Sequence, residues 1–214
     1  MKVMHRLFSD LYGRLTKRKN AYPSYTPIDV VNAPYSGHAT VLSISLQNID
    51  VLADSMQPYE LVQFLSKETN RLVKLIEQCH GVLACQIGGQ VLAYWKNPVS
   101  TSSSIQTELA LAAALSMLKT YAPSINVRLV LASENISVNF FGPQRQCQIR
   151  GAAIVLAEQL MAVPKENFVN QSHLLLLSAQ TVTLLNMDEP RMRLIRHYQD
   201  GKDFFELVED TADC

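Results

Sequence analysis

Cysteine is scarce in this chain of 214 residues, and its four copies are far apart. They are Cys79, Cys85, Cys147 and Cys214. No two of them stand at the Cys-x-x-Cys spacing that zinc sites and thiol–disulfide motifs use. The first residues do not read as a signal peptide, so the pattern predicts free thiols in a reducing compartment.

Histidine clusters, long apolar runs and net charge are also missing. The five histidines are scattered along the chain, so the sequence shows no metal-binding cluster. No apolar run approaches the ~18 residues that a membrane-spanning helix needs. Basic and acidic residues number 19 each, and this balance argues against bulk electrostatic binding of nucleic acid.

What is present is an apolar chain with a basic beginning. Apolar residues make up 48% of the sequence, which predicts one domain with a sizeable core. Residues 1–20 carry six basic side chains against the single Asp10, a net charge of +5. Apolar residues recur there at helical spacing, so we predict a basic amphipathic helix over residues 1–20. Residues 21–38 contain three prolines and predict a linker, and the globular domain is predicted to occupy residues 39–214.

The globular part alternates between strand and helix patterns. Period-two apolar residues and β-branched residues predict strands over residues 39–46, 82–86, 91–95, 127–131, 136–141, 174–177 and 204–208. Helical spacing predicts helices over residues 58–79, 105–121 and 151–163, and a helix or strand over residues 181–185. Ser133-Glu134-Asn135 is predicted to be a turn between two strands. This order predicts an α+β fold: a ferredoxin-like βαββαβ sandwich with a mixed, mainly antiparallel sheet and helices packed on it.

Several short segments, taken in order, resemble one known family. They are ATVLSISLQNID from Ala39, the helix that begins Pro58-Tyr59-Glu60-Leu61-Val62, the hairpin CQIGGQVLAYW from Cys85, NVRLVLASENISVNFFG from Asn126, and GAAIVLAEQL from Gly151. The chain resembles the catalytic domain of class III nucleotidyl cyclases, the adenylyl and guanylyl cyclases, over roughly residues 39–185. The resemblance implies the fold of this catalytic domain, and it implies pairing with another domain of the same fold.

The resemblance also implies where a cyclase would carry its chemistry. Cyclisation of a nucleoside triphosphate uses two metal ions held by carboxylates, because hard divalent ions choose oxygen ligands. The family's two metal-binding positions correspond here to Ser45 and Gly89. Its two base-reading positions correspond to Cys85 and Gln148. Its asparagine and arginine, which stabilise the transition state, correspond to Val155 and Gln159, so all six positions lack the family's side chains.

From these replacements we predict a chain that is not an enzyme, with no catalytic residue, no cofactor and no metal. The predicted function is that of a signalling and regulatory pseudoenzyme of bacterial type, which acts as a dimerisation module. Its expected partners are a second copy or another domain of the same fold, and no nucleic acid. We expect a cytoplasmic protein, with residues 1–20 free to contact the inner face of the membrane, a partner protein or the chain's own domain.

Other interpretations stay open at this point. One alternative is a sensing module, whose cleft would bind a nucleotide or another small molecule without metal. Gly88-Gly89-Gln90-Val91 is also similar to the Gly-Gly-Asp-Glu hairpin of diguanylate cyclases, again without the acidic pair. An enzyme with a divergent mechanism is a third possibility.

Two further groups of side chains allow two interpretations each. Cys85 and Cys147 are either redox sensors or buried structural thiols, and the sequence favours the second. Four basic residues form either an anion site or solvated surface, and the sequence again favours the second. These four are Lys96, Arg128, Arg145 and Arg150.

Overall fold

A computed structural model describes most of the predicted globular domain. The described residues are 34–87, 89–97, 104–121, 125–141, 146–168, 173–185, 192–199 and 201–209. The basic segment 1–20 and most of the linker 21–38 therefore lie outside the described residues. The first strand begins at Tyr35, inside the segment predicted as a linker.

Eight strands, five α-helices and one short 3₁₀ helix make up the described part of the chain. They follow one another as β1 (Tyr35–Leu46), α1 (Ile49–Ser55), α2 (Pro58–Gln78), β2 (Val82–Ile87), β3 (Gln90–Lys96), α3 (Ser104–Tyr121), β4 (Val127–Phe141), β5 (Gln146–Gly151), α4 (Ala152–Met161), the 3₁₀ helix (Lys165–Asn167), β6 (His173–Ser178), α5 (Ala179–Leu185), β7 (Met192–Gln199) and β8 (Lys202–Glu209).

All eight strands belong to one sheet. Its order is β2-β3-β1-β4-β6-β8-β7, and β5 pairs with β4 outside this path. The β4–β6 pair is parallel, whereas each of the other pairs is antiparallel. The prediction of an α+β fold with a mixed, mainly antiparallel sheet is confirmed.

The antiparallel pairing of β1 with β4 separates the two faces of the sheet. Leu42, Ile44 and Leu46 point to a core shared with α2 and α3. The alternate residues Ala39 and Val41 point to the opposite face, where they pack with residues of α4. Because successive side chains of a strand point to opposite faces, one register decides both cores.

The α3 helix is buried almost all round, and this explains its sequence. Its alanines and leucines lie in the core shared with α2 and the sheet. The Tyr121 hydroxyl at its end donates to the backbone oxygen of Glu68 at 2.9 Å. A helix that is apolar on all sides is one that the protein covers on all sides.

Hydrogen bonds between buried hydroxyl groups connect α3 and α5 to the sheet. The Thr40 hydroxyl lies 2.9 Å from that of Thr107 and 3.0 Å from that of Ser133. The Thr181 hydroxyl lies 2.9 Å from those of Ser133 and Ser178. Because each hydroxyl has a partner, the five side chains are buried without orphaned polar atoms.

The predicted turn at Ser133-Glu134-Asn135 is wrong, because β4 runs without a break through these residues. Ser133 is fully buried and its hydroxyl bonds to Thr40 and Thr181. Thr40 on β1 and Thr181 on α5 supply the hydrogen-bond partners that this polar side chain would otherwise find in a turn or in water. The helix or strand predicted at residues 181–185 is the helix α5, whereas the sequence interpretation missed α1, β5 and β7.

Arg128 on β4 is a structural residue of the second face. The prediction that it belongs to the solvated surface is wrong, because only 5% of its surface is exposed. Its guanidinium donates to the backbone oxygens of Met161 and Val163 at the end of α4, and it lies over the ring of Phe168. A cation at the carboxyl end of a helix satisfies its last carbonyl groups and complements its dipole.

No helix among the described residues is both long enough and apolar enough to cross a lipid bilayer.

We predict that Arg128→Met lowers the free energy of unfolding by about 2 kcal/mol, because two buried carbonyl oxygens lose a charged donor. Urea unfolding of the two proteins measures the difference. The exposed Arg150→Met is the control and should change stability by less than about 0.5 kcal/mol. Equal stability of Arg128→Met and the wild type would mean that desolvation of the guanidinium offsets its bonds.

Candidate functional site at the hairpin tip

The structure brings the two positions of the implied metal site together. Ser45 lies near the end of β1, and Gly89 lies at the tip of the β2–β3 hairpin. The backbone N–H of Leu46 donates to the oxygen of Gly89 at 3.0 Å. The sequence resemblance therefore selected two positions that are neighbours in space, although they are far apart in the chain.

The residues around Ser45 are polar or cationic, and none of those opposite it is acidic. Its hydroxyl accepts a hydrogen bond from the side-chain nitrogen of Gln47 at 2.8 Å. Directly opposite it on the neighbouring strands are Gln90 on β3 and Arg128 on β4. Directly opposite residues in an antiparallel pair share a face, so a buried guanidinium belongs to the same row as this hydroxyl.

A side chain at Gly89 would meet the end of the Ile49 side chain. A Cβ atom at this position would lie 2.0 Å from the Cδ1 atom of Ile49 and 3.6 Å from the Cβ atom of Leu46. The Ile49 side chain from α1 thus occupies the place where a carboxylate at the hairpin tip would begin. The glycine allows β1, α1 and the hairpin to approach one another.

These residues do not fit a divalent cation. Mg²⁺ and Mn²⁺ prefer several oxygen ligands, and carboxylates above all. Ser45 offers one hydroxyl that is already hydrogen-bonded, and Gly89 offers no side chain. Asp50 and Asp54 are exposed on α1. Among the described residues, no group of three or more histidines, cysteines and carboxylates could hold a metal ion.

The two base-reading positions lie on strands that touch. Cys85 is on β2 and Gln148 is on β5, and β5 contacts β2 across the sheet. In the amide orientation that satisfies both groups, the Gln148 oxygen accepts hydrogen bonds from the Arg150 guanidinium. Burial raises the pKa of Cys85, so at neutral pH this position presents a thiol and not a charge.

The two transition-state positions lie on the outer side of α4. Val155 is 52% exposed, and Gln159 follows one turn later on the same side. The Lys202 side chain, from the start of β8, lies 3.5 Å from the Gln159 side-chain oxygen. A cation therefore stands beside the position at which the family has its arginine, but it comes from another strand.

Sequence reasoning missed three residues of this region: Gln47, Ile49 and Lys202. The first two follow β1 directly, in a segment that was not predicted to be helical. Lys202 is far from the quoted segments, and only the sheet brings it to α4. The anion-site hypothesis grouped four other basic residues, and of these Arg128 is engaged by backbone oxygens.

Solved structures of cyclase catalytic domains have the same fold as this chain. The dimeric guanylyl cyclase domain of the RhoGC fusion protein from the aquatic fungus Blastocladiella emersonii matches with a TM-score of 0.68 and 14% identity, over 83% of this chain and 98% of that one. The adenylyl cyclase CyaB from P. aeruginosa matches with a TM-score of 0.61 and 14% identity, over 85% of this chain and 99% of that one.

A third match is a guanylate cyclase domain in complex with GTP, from RhGC of Catenaria anguillulae. Its TM-score is 0.63 and its identity 16%, over 84% of this chain and 100% of that one. No protein-family model and no curated protein sequence matches the chain. The diguanylate-cyclase alternative and the bacterial assignment stay predictions.

The prediction that the chain is not an enzyme is contradicted by these matches. The matched structures are adenylyl and guanylyl cyclases, so this fold is compatible with cyclase activity. At 14% identity, six replacements identified from sequence do not exclude activity, because function belongs to a site and not to single aligned letters. The assignment of the six positions and the sensing alternative stay predictions.

We predict that Gly89→Ala destabilises the protein by about 0.5–1.5 kcal/mol, because the new methyl group forces the end of the Ile49 side chain away from its rotamer. In an Ile49→Ala background the same substitution should cost clearly less. Urea unfolding of the four proteins gives the coupling free energy between the two positions. Equal costs in both backgrounds would show that Ile49 does not fill the space at Gly89.

The overall fold of this chain agrees with that of the three matched structures. The likeness extends over almost the whole length of each of them. The chain therefore has the catalytic-domain fold of the class III nucleotidyl cyclases.

Proposed function

We propose that this chain is a regulatory cyclase-fold domain of a nucleotide-signalling protein and that it acts by pairing with a second domain of the same fold. The partner is a second copy of the chain or a related domain. The proposal concerns association, and it holds for a pair that turns over nucleotide as well as for one that does not.

Exposed apolar side chains at two places support pairing. Val155 on α4 is 52% exposed and Phe141 at the end of β4 is 54% exposed. Large apolar side chains in such positions lose contact with water when a partner covers them, and each can contribute a substantial part of the binding free energy.

The position of Phe141 strengthens this argument. Within the described part of the chain, β1 pairs with β4 only as far as Val138, and the last residues of β4 pair with β5 alone. Phe141 therefore lies at the end of a two-stranded ribbon that extends past its neighbours in the sheet. An isolated ribbon is only marginally stable in water, and a second domain packed on it would stabilise it.

A charge introduced at a residue that pairing would bury tests the proposal. We expect the wild-type chain to sediment as a concentration-dependent dimer, and Val155→Glu and Phe141→Glu each to weaken the dimer about tenfold or more, because a charge would be desolvated in the interface. Sedimentation equilibrium measures the dissociation constants.

Val62→Glu is the matched control for this experiment. Val62 is 61% exposed and belongs to α2, which packs on the other face of the sheet from α4. Its substitution should leave the dissociation constant unchanged. A wild-type chain that stays monomeric at all concentrations would contradict homodimerisation, and equal effects at Val62 and Val155 would contradict the proposed surface.

We also propose that the chain binds peripherally to anionic membranes through residues 1–20. The support from the sequence is the net charge of +5 with apolar residues at helical spacing. Basic residues near an anionic surface contribute on the order of 1 kcal/mol each. The exposed face of α2 adds Lys67, Arg71 and Lys74 to the basic surface of the protein.

Flotation with phosphatidylserine-containing vesicles measures this binding. We expect the full chain to float with these vesicles and to stay behind with pure phosphatidylcholine. The full-length triple variant Lys17→Gln, Arg18→Gln and Lys19→Gln should float clearly less, because it loses three charges. Equal flotation of the wild type and the triple variant would remove residues 1–20 from the membrane contact.

A further inference from the structure

The fold brings together two cysteines that are far apart in the sequence. Cys85 is on β2, which forms one edge of the sheet, and Cys147 is on β5, which contacts β2. Cys85 lies directly opposite Leu92 in the β2–β3 hairpin, so both side chains share a face. Leu92 and Cys147 pack against the same apolar cluster.

Both thiols are free and partly exposed. They are also close enough to interact electrostatically, because a charge on Cys85 adds to the effect of burial in raising the pKa of Cys147. Cys79 differs from this pair. It is buried in the core on the other face of the sheet, and burial raises its pKa to about 11.

We propose that Cys85 and Cys147 are an oxidisable pair that forms an intramolecular disulfide with a peroxide. The inference does not depend on the pairing of two chains or on the membrane contact. The bond would join the β2–β3 hairpin, whose tip carries Gly89, to the β4–β5 ribbon that carries Phe141. Peroxide would thereby cross-link two parts of the fold that meet only through side-chain packing.

The chemistry requires no group other than the two thiols and the peroxide. The Cys85 thiolate attacks one peroxide oxygen, the O–O bond breaks, and hydroxide leaves to give a sulfenic acid on Cys85. The Cys147 thiolate then attacks that sulfur, an S–S bond forms, and the S–O bond breaks with loss of a second hydroxide. The two thiols lose two electrons and two protons, and the peroxide is reduced to two molecules of water.

The rate of disulfide formation depends on the ionisation of the two thiols. Burial raises the pKa of both thiols above the ordinary value, and only thiolates react. Disulfide formation should therefore be slow at neutral pH and should accelerate about tenfold for each unit of pH below the thiol pKa.

Peptide mapping of the full chain tests the proposal. Cys79 and Cys85 lie on one tryptic peptide, between Lys74 and Lys96, so the experiment uses a Cys79→Ala background. The reduced protein is treated with dilute hydrogen peroxide, alkylated and digested without reductant. The expected product joins the peptide of Cys85 to the peptide of residues 146–150, and dithiothreitol removes it.

Matched variants decide which cysteines take part. Cys85→Ser and Cys147→Ser should each abolish the joined peptide, whereas Cys214→Ser should leave it unchanged. Because each variant is compared in the folded, full-length chain, its circular dichroism spectrum and Tm are recorded beforehand. If Cys147→Ser does not fold, Cys147→Ala replaces it.

Three results would overturn the proposal. The first is a disulfide between Cys85 and Cys214, and the second is a disulfide between two chains. The third is a protein in which Cys85 proceeds to sulfinic acid while Cys147 remains a free thiol. The rise in rate with pH, together with the joined peptide, would support it.

Discussion

The antiparallel register between β1 and β4 is the constraint on which this structure depends. It places Leu42, Ile44 and Leu46 in one core and the alternate residues in the other. It also places Ser45 beside Arg128. A slip of one residue would turn every apolar side chain of β1 toward the wrong face, so the two cores hold the register and the register positions the candidate site.

Buried polar groups give this register its specificity. The hydroxyls of Thr40, Ser133 and Thr181 connect β1, β4 and α5, and the Arg128 guanidinium connects β4 with the end of α4. Each of these contacts is made only when the elements are in their observed positions. The satisfied hydroxyl network therefore selects one arrangement among those that would bury similar apolar area, whereas two nitrogens of the Arg128 guanidinium have no hydrogen-bond partner among the described residues.

The candidate site has to be judged from its own residues. At the hairpin tip the Ile49 side chain takes the space beside Gly89, and the Ser45 hydroxyl accepts a hydrogen bond from Gln47. The matched structures are cyclases, whereas these two positions do not fit a divalent cation. Fold and site are determined by different residues, and each has to be argued separately.

The sequence by itself determined the kind of elements, their order and the family that they resemble, because apolar periodicity and turn residues are local signals. It did not reveal that β4 continues through Ser133, since only partners on β1 and α5 satisfy that hydroxyl. Nor did it reveal the burial of Arg128, the side chain of Ile49 against Gly89, or the proximity of Cys85 to Cys147. These depend on contacts between residues distant in the chain, and such contacts exist only once the sheet has formed.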